Sequence, residues 1–364
     1  MSEESRKKAA AGSMGAPAPV SEAASSAFAE ALPRLLSLVN DKFDIEARIA
    51  ESHSPRDLSL ISDAHSHFGE MLKAVYEFDL AGHALDEFAW YVSTLATRGF
   101  QESYFRRMLE AWMIAIHAAI KPPESGELTR LLEHLCRHLH AICSAPETER
   151  EPLSPEAQHF LSLLLDKRRK PAAEYALQIA AGEGKSGNAY SSVVLPALSQ
   201  IGWLWQRNEI SVADEHAATE IARYVLFRLL DSLPAKRPLG KSVLVACVPG
   251  EEHDVGVQIA GAYLEAAGWD TIQVGRSAPA DEILRMLEAR QPHVAVFSIN
   301  MLARLPAARD LFAKVRERFT GIRIIAGGRA AVAARKVLAD NVDAIVDGLE
   351  DLQETALRMA GENA

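Results

Sequence analysis

The sequence has few cysteines, no long apolar run and no excess of positive charge. The three cysteines, Cys136, Cys143 and Cys247, are too few and too widely spaced for a disulfide framework. No apolar stretch reaches the length of a membrane-spanning helix, and the first residues lack the apolar core of a signal peptide. Lys and Arg total 39 against 49 Asp and Glu, which argues against a dedicated nucleic-acid-binding protein. We therefore expect a soluble, cytoplasmic protein with neither a membrane nor a nucleic acid as partner.

The hydrophobic pattern divides the first 236 residues into three segments. Residues 1–25, rich in Ala, Ser, Gly and Pro, are predicted to form a disordered leader. Residues 26–145 repeat apolar side chains at intervals of three and four, which predicts an all-α domain. A charged linker with two prolines follows, and residues 154–236 then predict a bundle of four helices. Ser154-Pro155 and Ser211-x-x-Asp214 are the helix-start signals within that bundle.

In residues 240–364 the period of the hydrophobic pattern changes. Short apolar runs rich in β-branched residues alternate with helical patterns, five times in succession. This alternation predicts a doubly wound, flavodoxin-like, five-stranded parallel sheet, with ligands at the carboxyl ends of the strands. The strands are predicted near residues 242–248, 270–274, 293–298, 322–325 and 343–346, and the helices near 256–267, 280–290, 303–318, 330–339 and 350–360.

A polar loop, Glu251-Glu252-His253-Asp254-Val255-Gly256, follows the first predicted strand. There, the imidazole of His253 can present one ring nitrogen to a ligand, while the Glu251 carboxylate takes the proton on the other. Gly256 lets the next helix begin close to whatever lies above it. From these residues alone, a solvated histidine in a polar loop is an open alternative.

Two further elements belong to the same predicted edge of the sheet. The third strand ends in Ser298-Ile299-Asn300, and the fourth ends in Gly327-Gly328, where missing side chains leave room for a group between strand and helix. The order Glu-x-His-x-x-Gly, Ser-x-Asn, Gly-Gly resembles the cobalamin-binding domain family over residues 240–364. Carrier members of that family have Asp where Glu251 stands and usually another residue at Asn300, but both departures keep the hydrogen-bonding chemistry.

The resemblance implies a role for each motif. In that family the histidine is the lower axial ligand of cobalt, so His253 would be the metal ligand, with Glu251 and Gly256 beside it. The displaced nucleotide tail of the cofactor would lie beside Ser298 and Asn300 and the pair Gly327-Gly328. The implied cofactor is cobalamin.

A second motif lies in the predicted bundle, where Trp205 is followed after nine residues by Glu215-His216. This spacing resembles the Trp-x9-Glu-His signature of the light-sensing cobalamin proteins. In those proteins the bundle covers the upper face of the corrin and these residues surround the adenosyl group, which implies adenosylcobalamin. From the residues alone, a core tryptophan and a solvated helix start remain an alternative. In DNA-binding members, a His directly after the Trp captures cobalt once light has broken the carbon–cobalt bond. This chain has Gln206 at that position, so the bis-His photoproduct of those members is not implied here.

The all-α domain in front of the bundle resembles, by domain order, the photocobilins, which pair cobalamin with a bilin in a globin-like domain. The resemblance implies biliverdin as a second chromophore, with an aromatic and basic segment supplying stacking surfaces and propionate partners. The candidate residues are Trp90, Tyr91, Tyr104, Arg106 and Arg107. An ordinary helical core is one alternative, and a globin-like haem site another, since the domain holds His65, His67, His83, His117, His134, His138 and His140. Cys136 and Cys143 are expected to be packed thiols and not thioether anchors.

Together these patterns predict a light sensor and not an enzyme. Adenosylcobalamin would lie between the bundle and the sheet domain, and photolysis of its carbon–cobalt bond would shift the domain arrangement and the state of a light-dependent homo-oligomer. The main alternative is a corrinoid methyl carrier of a methyltransferase system. Such carriers resemble the same bundle-plus-sheet pair but lack the Trp-x9-Glu-His element and the N-terminal helical domain. A helical interaction protein with a vestigial site is a third interpretation, against which the intact His253 speaks.

Overall fold

The computed structural model describes residues 17–50, 55–145, 150–182, 189–232 and 237–361. The chain forms two compact units, Met1–Glu147 and Thr148–Ala364. Within the described ranges, no helix combines the length and the apolar character needed to cross a bilayer.

The first unit is helical, as the spacing of its apolar residues predicts. Its helices are α1 (Glu22–Ala50), α2 (Pro55–Glu77), α3 (Ala81–Ala96), α4 (Glu102–Ala119) and α5 (Glu124–Cys143). Their apolar faces meet in an aromatic core that contains the fully buried Phe28, Phe68, Phe88, Phe105 and Trp112. The helical prediction is confirmed, while the globin-like fold stays a prediction.

The predicted leader extends too far. Helix α1 begins at Glu22, the Ser21 hydroxyl accepts a hydrogen bond from the Ala24 N–H at 3.2 Å, and Ala24 is buried. A serine cap therefore starts the first helix inside the segment that composition assigns to the leader, because a cap is a local signal that composition does not register. Residues 1–16 of that prediction lie outside the described ranges.

A buried polar network lies between α1, α2 and α4. The imidazole of His65 is fully buried; its Nδ1 lies 2.7 Å from Asn40 Oδ1 and its Nε2 lies 3.3 Å from the Tyr104 hydroxyl. The ring of Phe43 packs edge-on against it at 4.7 Å between centroids. Burial disfavours the charged form and lowers the pKa of His65 from 6.5 to about 4. His65 is therefore neutral at pH 7, and both of its ring nitrogens are engaged by protein groups, which leaves neither for a haem iron.

This network predicts an acid-sensitive first unit. Because the pKa of His65 is about 4 when folded and 6.5 when unfolded, the unfolded chain binds more protons between these values. The free energy of unfolding should therefore fall as the pH drops from about 7 to about 4, by roughly 3 kcal/mol from this residue. We expect His65→Gln to be destabilised at pH 7, with the gap to the wild type closing toward pH 4. Hydrogen exchange of buried α2 and α4 amides, corrected for intrinsic rates, measures the free energy of unfolding of each variant at each pH.

The exposed His117 of α4 supplies the control for that experiment. His117→Gln should follow the wild-type pH dependence throughout. A stability gap between His65→Gln and the wild type that stays constant from pH 7 to pH 4 would contradict the prediction.

The second unit begins with a helical bundle. Its helices are α6 (Pro155–Leu165), α7 (Arg169–Ala180), α8 (Leu195–Gln206), which continues a π-helical turn (Tyr190–Val194), and α9 (Val212–Asp231). Both helix-start signals are confirmed: Ser154 caps α6, and Ser211 with Asp214 forms a reciprocal capping box at α9. The buried apolar core of the bundle also takes in Ile259, a residue of the following domain.

The rest of the unit is the predicted parallel sheet with its covering helices. The strands are β1 (Ser242–Cys247), β2 (Asp270–Val274), β3 (Val294–Ser298), β4 (Arg323–Gly327) and β5 (Ala344–Val346). The helices are α10 (Val255–Ala266), α11 (Ala280–Arg290), α12 (Leu305–Arg318), α13 (Arg329–Ala333), α14 (Arg335–Leu338) and α15 (Leu349–Gly361), with a 3₁₀ turn (Leu302–Arg304) before α12. The five-stranded sheet of the described residues is confirmed. The helix predicted over 330–339 is split at Ala334, where the Arg335 guanidinium reaches the Ile345 carbonyl.

The strand order determines where the sheet has a crevice that can bind a ligand. The described sheet runs β2-β1-β3-β4-β5, and all of its pairings are parallel. From β1 the chain crosses to one side to form β2 and then to the other side to form β3. The loops after β1 and β3 consequently diverge at the carboxyl edge and leave a crevice there, which is where ligands bind in sheets of this type.

Candidate functional site

A buried carboxylate organises the loop after β1. Glu251 is fully buried, and its Oε1 accepts hydrogen bonds from the His253 backbone N–H at 3.0 Å and from the His253 ring at Nδ1, 2.6 Å away. Its Oε2 accepts from the backbone N–H groups of Asn300 at 2.8 Å and Met301 at 3.0 Å. One side chain thus ties the loop after β1 to the end of β3 across the crevice.

These bonds fix the charge of Glu251. Burial alone would raise its pKa, but the hydrogen bonds from His253, Asn300 and Met301 outweigh burial and lower the pKa to about 2. The carboxylate is therefore ionised and accepts a hydrogen bond from the Nδ1–H of the imidazole. The same hydrogen bond raises the pKa of His253, against the opposing effect of burial.

This pairing orients His253 as a ligand. Because Nδ1 donates to Glu251, Nε2 of the neutral ring carries the lone pair, and the His253 side chain is 61% exposed. Gly256 is the second residue of α10, and a Cβ there would meet no neighbouring segment within 4 Å, so the space beside the first turn of that helix is open. An oriented, exposed nitrogen donor next to open space fits a residue that would hold the cobalt of a corrin.

Asn300 connects all three motifs of the sheet domain. Its Nδ2 donates to the His253 carbonyl at 3.3 Å and to the Ser298 hydroxyl at 3.1 Å, and its Oδ1 accepts from the Arg329 N–H at 3.3 Å. The sequence suggested hydrogen-bonding capacity at Asn300 but not this role, since two of its three partners lie 29 and 47 residues away.

The expected reason for the glycine pair is wrong at Gly328. Its φ is +96°, and a Cβ there would lie 2.5 Å from the Ile299 carbonyl oxygen and 2.9 Å from Asn300 Oδ1. At Gly327, a Cβ would lie 3.3 Å from the Val346 side chain. The protein's own backbone and side chains occupy this space, so glycine is needed at position 328 for a left-handed backbone and a close approach of two chain segments. That the nucleotide tail of the cofactor lies beside the pair stays a prediction.

The candidate residues of the bundle lie at one helix junction. Trp205 is half-buried in the last turn of α8, beside Gln206, and Glu215 with His216 lies in the first turn of α9. The Glu215 carboxylate binds the Thr219 hydroxyl at 2.8 Å and the His216 ring, and the His216 side chain is exposed. The Glu215 charge also raises the pKa of His253. The structure therefore brings the Glu215 end of α9 near the histidine of the sheet domain.

The bilin candidates of the first unit are divided between its core and its surface. Tyr91 and Tyr104 are each 95% buried among phenylalanines. Trp90 is half-buried, with the His67 ring 6.2 Å away. Tyr91 and Tyr104 therefore do not form an open aromatic wall, because the same helical spacing that suggested one serves the core.

The two arginines point to different neighbours. Arg106 pairs with Glu102 at 2.9 Å on its own helix, whereas the Arg107 guanidinium lies 5.9 Å from the Phe43 ring centroid, on the side of Tyr104. Burial raises the pKa of both Cys136 and Cys143, which keeps their thiols protonated and poorly reactive at pH 7.

A second ion pair at the site was not predicted. Arg223 of α9 binds Asp254, the residue after His253, through both guanidinium ends at 3.0 and 3.1 Å. The only sequence signal for this ion pair is that Asp254 adjoins His253. Nothing in the pattern of α9 identifies Arg223 as the partner of Asp254.

Comparisons with known proteins agree with this geometry. Residues 241–358 match a family model described as B12 binding domain, and residues 165–230 match a second model with the same description. Of the curated relatives, the HTH-type transcriptional repressor CarH of Myxococcus xanthus is 27% identical over 46% of this chain and 56% of its own length. The repressor CarA of the same organism is 31% identical over 34% of this chain and 40% of its own length. The chain thus spans about half the length of these repressors.

Corrinoid proteins match as well. The dimethylamine corrinoid protein 1 of Methanosarcina acetivorans is 22% identical over 46% of this chain and 80% of its own length. Among solved structures, the monomethylamine corrinoid protein of Methanosarcina barkeri covers 56% of this chain and 97% of its own, at 14% identity and a TM-score of 0.48. Within the second unit, one match to a B12 binding domain falls in the bundle, at residues 165–230, and the other falls on the parallel sheet, at residues 241–358.

Proposed function

We propose that this protein is a cobalamin-dependent light sensor in which His253 is the lower axial ligand of cobalt. The observation that carries the proposal is the pairing of His253 Nδ1 with the buried Glu251, which leaves Nε2 exposed at the carboxyl end of β1. The cobalamin binding rests on this geometry together with the two matches to a B12 binding domain.

The proposed form of the cofactor is adenosylcobalamin, which supplies a carbon–cobalt bond that light can break. Support comes from the Trp-x9-Glu-His spacing and from the position of Glu215, whose charge acts on His253. Trp205, Glu215 and His216 would contact the upper group, with the indole as an apolar surface and the other two as polar partners. Loss of those contacts on illumination would release the α8–α9 junction and change the domain arrangement and oligomeric state, which is the signal.

A corrinoid methyl carrier is the second candidate function. It is favoured by the match to the dimethylamine corrinoid protein, of which this chain covers 80%. Trp205 decides between the two, because a sensor needs a group that recognises the upper ligand, whereas a carrier must leave that face open to a methyltransferase.

We further propose that the first unit binds biliverdin without a covalent link. Arg107 supports this, since it lies at the surface beside Tyr104 and Phe43 and can meet a propionate. The raised pKa values of Cys136 and Cys143 favour a non-covalent mode.

His253→Ala tests the lower ligand. We expect weaker cobalamin binding and a bound spectrum shifted toward the base-on or five-coordinate form, because the protein no longer offers a nitrogen to cobalt. Absorption spectra and equilibrium titration in the dark measure both effects. The matched control is His159→Ala, an exposed histidine of α6, which should behave as the wild type. Unchanged spectrum and affinity in His253→Ala would remove His253 as the ligand.

Trp205→Ala tests the upper contact and separates the two candidate functions. We expect cobalamin uptake to persist while the preference for adenosylcobalamin over methylcobalamin weakens, since Trp205 would touch the upper group alone. Trp203→Ala is the control, because the Trp203 ring contacts arginines and is not part of the Trp-x9-Glu-His spacing. Its ring centroid lies 5.9 Å from the guanidinium carbon of Arg150 and 4.7 Å from that of Arg207. Equal loss of affinity for both cofactors would place Trp205 in the general core, and unchanged affinity for both would favour the methyl carrier.

A biliverdin titration tests the first unit. We expect a red absorption band in the wild type and in the double variant Cys136→Ala, Cys143→Ala, because no thioether is needed. Arg107→Ala should weaken the band and Arg106→Ala should not, since the Arg107 guanidinium lies beside the Phe43 ring, whereas Arg106 forms an ion pair with Glu102. No red band in the wild type, or uptake of haem with a Soret band, would refute the bilin proposal and leave the cobalamin proposal untouched.

A further inference from the structure

Helix α9 extends from the proposed upper contacts to the loop that holds the proposed lower ligand. Glu215 and His216 lie in its first turn, and Arg223 follows His216 by seven residues. Seven residues are nearly two helical turns, so His216 and Arg223 share one side of the helix at a separation of about 10 Å along its axis. A single rigid element therefore carries groups toward both parts of the site.

The contact of Arg223 with the sheet domain is a partly buried, forked ion pair. Nη1 lies 3.1 Å from Asp254 Oδ2 and Nη2 lies 3.0 Å from Oδ1, and the two side chains are 18% and 5% exposed. Gln258 of α10 donates a further hydrogen bond to Oδ2 at 2.7 Å. Two parallel charge-assisted bonds fix distance and direction together, so this contact constrains geometry more than a single-point pair can.

The position of Asp254 links this contact to the loop that holds His253. Asp254 is the residue directly after His253 and stands at the N-cap position of α10, yet its side chain makes no capping bond to its own helix. Its carboxylate instead binds the bundle. The His253 carbonyl beside it is held by the Asn300 amide at 3.3 Å, and the His253 ring is held by Glu251. The backbone of the ligand loop is thus fixed from the sheet on one side of His253 and from α9 on the other.

Apolar packing supports the same junction. Ile259 of α10 belongs to the buried core of the bundle, and Val255, which follows Asp254, packs partly buried against it. A displacement of α9 relative to α10 would therefore act on the Arg223–Asp254 pair within a packed contact, where few alternative arrangements exist.

We propose that Arg223 and Asp254 are positioning residues of the cobalamin site, which couple the position of α9 to the orientation of His253. This inference rests on the proposed function and deepens it by naming the link between the upper contacts and the lower ligand. With the pair formed, the loop at 253–254 holds Nε2 of His253 in line for its ligand. When α9 shifts at its Glu215 end, the fork at Arg223 transmits the shift to the residue next to His253.

The test uses the full chain in the dark with saturating methylcobalamin, whose visible spectrum differs between histidine-ligated and unligated forms. The His253→Ala spectrum supplies the reference for cofactor that lacks the histidine ligand. We expect Arg223→Met and Asp254→Asn each to lower the ratio of ligated to unligated cofactor about tenfold, the change that accompanies loss of a charge-assisted hydrogen bond. Arg223→Lys, which keeps the charge but not the fork, should fall between. The double variant should lose no more than the worse single variant, because both remove one interaction.

The control is Arg228→Met, on the same helix, whose guanidinium binds the hydroxyl of Tyr224, another residue of α9, at 3.0 Å. It should keep the wild-type ratio. A wild-type ratio in both Arg223→Met and Asp254→Asn would overturn the positioning role while leaving the proposed function standing. If circular dichroism shows that either is unfolded, Arg223→Lys decides, with a wild-type ratio refuting the role. A wild type that binds neither methylcobalamin nor adenosylcobalamin would instead refute the proposed function itself.

Discussion

The site depends on one buried charge. The Glu251 carboxylate accepts hydrogen bonds from the backbone of two different loops and from the His253 ring, and these bonds outweigh the cost of burying it. If that carboxylate were absent, the N–H groups of Asn300 and Met301 would lose their partner and the imidazole would be free to turn. The orientation of the candidate cobalt ligand is thus a property of how two strand ends are joined, and not of the histidine alone.

The second unit combines two levels of constraint around His253. On the side of the sheet, Glu251 holds the His253 ring and the Asn300 amide holds the His253 carbonyl. The bundle reaches the next residue, Asp254, through Arg223. A change at the first turn of α9 therefore has a physical route to the ligand loop, because the helix is rigid and the ion pair is forked. Such a route is what converts the state of a small-molecule ligand into a change of protein conformation.

Local patterns in the sequence predicted the strands and the His253 loop, and tertiary contacts explain what they missed. The run at 242–248 is apolar on both faces, so a buried parallel strand was the natural expectation, and β1 is there. The partners of Asn300 and the Arg223–Asp254 pair lie 29 to 47 residues apart, beyond any periodicity. Gly328 was expected to leave room but instead allows two segments to touch. Tyr91 and Tyr104 have the spacing of a cofactor wall, yet that spacing equally describes a core.

Ligation of cobalt by a nitrogen of His253 is the central claim, and electron paramagnetic resonance tests it most directly. Protein made with ¹⁵N-labelled histidine is loaded with cob(II)alamin, and the superhyperfine pattern of the axial nitrogen is recorded. Coordination by a protein histidine predicts that the triplet seen with ¹⁴N becomes a doublet on labelling, because the nuclear spin changes from 1 to 1/2, and that His253→Ala abolishes this response. A triplet that persists after labelling would show the cofactor's own base on cobalt and would contradict the account.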